Sequence, residues 1–135
     1  MTGTPLLSAA LLLVLLPGTL TQTTEEVPID VVVENTLLQT KPETFSTHVV
    51  HGGNLLGAMK RLMASNADFK FSYTKDPNFG PYLESVNGVA GNDADHTYWE
   101  LLVQTPGGKT IRPDVGIGCY IPSAREQIIL RFIKW

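Results

Sequence analysis

QIILRFIKW, residues 127–135, carries apolar side chains at six of its nine positions. Successive side chains of a strand alternate between faces, which puts Ile128, Leu130 and Phe132 on one side. Ile129, Arg131, Ile133 and Trp135 then fall on the other. A strand that is apolar on both faces needs cover on each, so it is predicted in the middle of a sheet. Pro122-Ser123-Ala124-Arg125 forms the turn that introduces it. Further upstream, residues 116–121 (GIGCYI) read as a Gly-rich strand suited to close approach by backbone or ligand. Residues 109–114 show no period, and Pro106-Gly107-Gly108 marks a turn. TYWELLVQ (97–104) is another strand, reached through the polar loop GNDADH (91–96). In YLESVNGV (82–89), Leu83 and Ser85 are expected on one face and Tyr82, Glu84 and Val86 on the other. Asn87-Gly88 is a tight-hairpin signal, but the next strand-like run starts only at Thr97, so a loop is expected there.

The first half of the chain repeats the strand pattern and then breaks it. Val27, Ile29, Val31 and Val33 alternate with Pro28, Asp30 and Val32, and Pro28 suits only a strand start or an edge. A Lys41-Pro42 turn leads to FSTHVV (45–50), so these two strands are expected to form a hairpin. After Gly52-Gly53 the period becomes helical: Leu55, Leu56, Met59, Leu62 and Met63 recur at i, i+3, i+4 and i+7, with Asn54 as N-cap. At that spacing the two methionines read as core packing rather than soft metal ligands. FKFSY (69–73) is a strand returning onto the helix. These elements make an α+β class domain: a small, mostly antiparallel β-sheet with one packed α-helix, free of repeats.

The chain has 135 residues, enough for one domain. Its 10 Lys and Arg against 13 Asp and Glu leave a net charge of −3, with no basic stripe, which argues against nucleic acid. Nothing ionisable precedes Glu25 except the amino terminus, and LLSAALLLVLL at 6–16 is too short to span a membrane. Followed by Pro17-Gly18, it reads as a signal-peptide core, with 1–22 removed and 23–135 secreted. An uncleaved N-terminal anchor is the other reading of that stretch; after cleavage no membrane association is expected. The single cysteine, Cys119, excludes an intrachain disulfide and, with no CxxC, a structural zinc. It is either a buried small residue or an intermolecular disulfide partner.

An enzyme needs a nucleophile with a base, paired carboxylates or a metal set. His48 and His51, three apart on a strand, fall on opposite faces and do not form a metal pair. Asp93, Asp95 and His96 lack the spacing and closing Glu of a calcium loop. Neither glycine cluster matches a phosphate-binding fingerprint. What the chain does carry is amphipathic aromatics and small polar residues near loops: Tyr82, Ser85, Asn87, Tyr98, Trp99 and Tyr120. Such residues combine contact area with hydrogen bonding and suit a large, partly apolar ligand or a protein partner.

GPYLESVNGVAG (80–91), YWELL (98–102), GIGCYIP (116–122) and IILRFIKW (128–135), in this order, resemble the C-terminal domain of the transcobalamin, intrinsic factor and haptocorrin family of vitamin B12 carriers. The resemblance runs from about Val27 to Trp135. It implies a secreted, non-enzymatic module that binds cobalamin as a ligand rather than a catalytic cofactor and covers one face of the corrin. Carried over residue by residue, it implies contacts from Ser85, Asn87, Tyr98, Trp99, Leu102, Pro113 and Val115. Trp99 is the expected apolar anchor, whose truncation weakens binding without unfolding the domain. Tyr120 matches a recurring family tyrosine, either at the ligand or structural. The family's large helical barrel has no counterpart in these 135 residues, so a second protein or second copy completing the site is one expected partner. The alternative is a secreted protein-interaction domain that kept the scaffold and lost the ligand.

Overall fold

A computed structural model describes residues 25–78 and 80–135; the expected signal segment, 1–22, lies outside the described residues. The elements follow in the order β1 (Glu26–Asn35), β2 (Glu43–Val50), α1 (Leu55–Ser65), β3 (Phe71–Asp76), β4 (Gly80–Val86), β5 (Val89–Ala90), β6 (Thr97–Gln104), β7 (Thr110–Ile111) and β8 (Glu126–Lys134). They form two sheets rather than one, a five-stranded sheet ordered β2-β1-β8-β6-β7 and a three-stranded sheet ordered β3-β4-β5. β1 and β2 make the expected antiparallel hairpin, with Val31 opposite Phe45. β8 lies between β1 and β6, as its two apolar faces require, and its pairing with β1 is parallel while the other pairings are antiparallel.

One face of the five-stranded sheet supplies Ile29, Val31, Val33, Phe45, Val49, Ile128, Leu130 and Phe132 to the core. Against it pack α1, through Leu55, Ala58, Met59 and Leu62, and the three-stranded sheet, through Phe71, Leu83 and Val86. Each fully buried side chain of this size contributes about 1.5–3 kcal/mol relative to exposure. The opposite face holds a smaller apolar strip in which Val32, Ile129 and Leu102 stand in register across β1, β8 and β6.

Several local expectations are corrected. Met63 is 38% exposed, and Ala58 takes its place on the buried face of α1. The strand expected to begin at Phe69 begins at Phe71, with Phe69 fully buried just before it. In β4 the alternation breaks: Ser72 is opposite Ser85 but Tyr73 is opposite Leu83, so Glu84 is an extra residue. Such a bulge turns Leu83 and Val86 to the same side. Both are buried, while Tyr82 and Glu84 face out. Asn87 and Gly88, at φ 49° and 84°, form the tight turn that joins Val86 to Val89. Two central residues with positive φ are the mark of a type I′ hairpin, here serving a strand of only two residues.

The largest correction concerns residues 116–120, which form a turn and not a strand. The backbone N–H groups of Leu55 and Leu56 donate to the carbonyls of Tyr120 and Ile117, each at 2.8 Å. The first N–H groups of a helix have no partner inside it, so this turn satisfies them. Asn54 completes the cap: its Oδ1 accepts from Gly57 N at 2.9 Å and its Nδ2 donates to Gly118 O at 3.0 Å. Carbonyls spent on the helix are not available to a strand ladder. Cys119 consequently lies exposed on the turn rather than buried.

Candidate functional site

β6 pairs with β8 along its length but with β7 only at Val103 and Gln104. Its edge from Tyr98 to Leu101 therefore faces Pro81, Tyr82 and Leu83 at the start of β4, together with the loop at 112–117. A cleft of about 220 Å³ opens between them. Two more hollows continue it. One, about 490 Å³, reaches Val115 and Cys119, and the other, about 200 Å³, reaches Asn92 and Asp93. Tyr82 borders all three and is 51% exposed, so its side chain is common to them and open to solvent.

The cleft is apolar apart from one charged corner. Glu100 is 5% exposed, and the guanidinium of Arg112 pairs with its carboxylate. A buried carboxylate without a partner would be strongly destabilising, so this pair is a condition of the corner's stability. The Tyr98 hydroxyl, and then the Glu100 carboxylate, hold the Arg112 guanidinium above its ordinary value.

The loop that closes the cleft is pinned from two sides. A Cβ on Gly118 would lie 2.7 Å from Cγ of Pro81, so only glycine lets the turn rest on that ring. Tyr120 donates its hydroxyl proton to Glu126 Oε1 at 2.7 Å, and Ser123 N donates to the same oxygen at 3.0 Å. Burial, and then this bond, push the Tyr120 hydroxyl well above its ordinary value.

Of the residues singled out in the sequence, Tyr98, Trp99 and Pro113 line the cleft and Val115 lines its 490 Å³ neighbour. Three lie elsewhere. Asn87 borders a separate hollow of about 490 Å³, under the β1–β2 turn, which also touches Trp99. Its Oδ1 accepts from Lys70 N at 2.8 Å. Ser85 shares a 2.6 Å hydrogen bond with Ser72 inside the three-stranded sheet. Leu102 belongs to the strip on the outer face of the five-stranded sheet. Trp99 is 6% exposed, donates Nε1–H to Val89 O at 2.8 Å and sits 5.0 Å from the Phe132 ring. Its burial makes truncation without loss of stability unexpected. Arg112 and Glu100 were missed. Arg112 stands in a stretch with no period, and Glu100 reads simply as the polar member of YWELLV.

Among the described residues, no three His, Cys, Asp or Glu side chains come together to hold a metal, and no helix is long and apolar enough to cross a membrane. No family model matches the chain. It is 32% identical over 96 residues to human transcobalamin-1, covering 69% of this chain and 21% of that protein. To mouse cobalamin binding intrinsic factor it is 34% identical over 92 residues, covering 68% and 21%. The matches fall in the C-terminal part of those proteins. This chain resembles the C-terminal part of the cobalamin carriers. The chain spans about a fifth of the length of the curated relatives it matches. Its fold matches a crystal structure of haptocorrin in complex with Cbi at TM-score 0.69 and 22% identity, covering 88% of this chain and 27% of that one. The fold also recurs in a protein from Ruminococcus gnavus, at TM-score 0.57 and 16% identity, where it covers 99% of that chain. At these identities the two structural matches speak for the fold alone.

Proposed function

We propose that this chain is a secreted, non-enzymatic cobalamin-binding module that covers one face of the corrin with the cleft around Tyr82. The observation that carries the reading is the open, largely apolar hollow at the edge of β6, with its single charged corner, in a chain similar to proteins named for cobalamin binding. Ligand sites are typically apolar with a few fixed polar groups. Tyr82, Tyr98, Pro113 and Val115 provide the contact surface, and Trp99 backs it from the core. Ser85, Asn87 and Leu102 shape the scaffold around it. The three hollows share Tyr82, and a corrin laid across them leaves its other face to a second surface. Secretion is supported by the apolar stretch at 6–16.

Titrating the chain with cyano- and aquocobalamin tests this reading. The expected result is a saturable change in the corrin absorbance with matching calorimetric heat; an unchanged spectrum and no heat at high micromolar ligand overturn it. Exposed Cys119 beside Val115 favours a second reading, a protein-interaction domain on the same scaffold. A dimer or heterodimer that disappears on reduction in electrophoresis, together with a silent titration, would support that one instead.

A further inference from the structure

We propose, resting on the cobalamin reading, that Arg112 is a pre-set hydrogen-bond donor of the site and takes a neutral carboxamide carbonyl at the ligand's rim. The side chain lines the cleft yet is 64% exposed. A guanidinium has five N–H donors in a rigid fork. Glu100 and Tyr98 occupy one part of that fork, and the exposure of the side chain leaves its other donors open to solvent at the cleft. Glu100 is buried in β6, and Tyr98 stands two residues before it on the same strand. Both partners therefore hold the guanidinium from the sheet side and fix its direction before any ligand arrives. Pre-set donors give affinity without an ordering cost at binding.

The charge balance selects the kind of acceptor. Glu100 already neutralises Arg112, while Asp114 borders the 490 Å³ hollow and Glu84 and Asp93 border the 200 Å³ one. Among the described residues, no other Lys or Arg borders these three hollows. An anion placed there meets more negative than positive charge, whereas a neutral carbonyl meets a directed donor. Cobalamin offers both kinds of acceptor, carboxamides around the ring and a phosphodiester in its nucleotide arm.

Cobinamide keeps the ring carboxamides and lacks the phosphodiester, so it separates the two. Binding of cobalamin and cobinamide is measured for the unsubstituted chain, Arg112→Gln and Arg112→Lys, with thermal unfolding of each. Arg112→Gln is expected to weaken both ligands equally, by about tenfold, as loss of a hydrogen bond from a charged donor implies. Arg112→Lys, which keeps the charge and loses the fork, is expected to fall between. Because Arg112→Gln leaves Glu100 buried without its partner, the pair Glu100→Gln with Arg112→Gln serves as the folded reference and is expected to show the same loss. Folded variants that bind both corrinoids as tightly as the unsubstituted chain overturn the proposal. A loss confined to cobalamin also overturns it, since the acceptor would then be the phosphodiester. If the unsubstituted chain binds neither corrinoid, the functional reading itself fails and the proposal falls with it.

Discussion

Tyr120 stands where three parts of the structure meet: its carbonyl accepts from the first helical N–H, its ring packs against the main core, and its hydroxyl bonds Glu126. An ordinary tyrosine titrates near pH ~10. In the fold, burial and the Glu126 bond raise that value, so the folded chain keeps a proton that the unfolded chain releases first. The resulting stability is present below about pH 10 and is lost as pH rises toward the higher folded value. Tyr120→Phe is expected to cost about 1 kcal/mol at neutral pH, the worth of one hydrogen bond. It should also flatten the decline above about pH 10. Urea denaturation between neutral and strongly alkaline pH checks both; an alkaline slope identical to that of the unsubstituted chain would place the effect elsewhere. The tyrosine stands out in the sequence, but its partner six residues later does not, because nothing local marks Glu126 as buried.

At the scale of elements, the site exists because β7 is two residues long and the turn at 116–120 serves the helix. The turn rests on a close approach to Pro81 that only glycine allows at position 118. Gly118→Ala pushes a methyl into the Pro81 ring, and overpacking of this kind costs about 1–3 kcal/mol. Gly116→Ala is the control, since a Cβ there would meet Pro81 O at 3.5 Å, an ordinary contact. Parallel thermal melts should show a clear loss for Gly118→Ala and little for Gly116→Ala; equal behaviour would mean the turn moves freely against β4. The helix, its Asn54 cap and the first hairpin were readable because their signals are local. The turn at 116–120 was not, because its alternating apolar residues imitate a strand and its hydrogen-bond partners lie more than 60 residues away.

For the whole molecule, the question is what ties the two sheets together. Trp99 lies on β6 of the five-stranded sheet, packs at a tilt against Phe132 of β8, and donates across to Val89 of the three-stranded one. Truncating a buried tryptophan costs about 3–5 kcal/mol, a large share of the 5–15 kcal/mol typical of a domain. Trp99→Ala is expected to lower the denaturation midpoint steeply, whereas Trp99→Phe keeps most of the packing and loses the bond to Val89. A stable Trp99→Ala chain with impaired cobalamin binding would make this residue a ligand anchor instead.

Local sequence pattern was enough for the α+β class, the place of β8 inside its sheet and the capped helix. Each of these depends on neighbours within a few positions, where alternation and helical spacing carry the information. The division into two sheets, the bulge at Glu84, the exposure of Cys119 and the grouping of Tyr82, Tyr98, Arg112 and Pro113 emerged only in three dimensions. These depend on which distant backbone groups satisfy one another. A chain pattern does not encode that choice position by position; packing and hydrogen bonding settle it together.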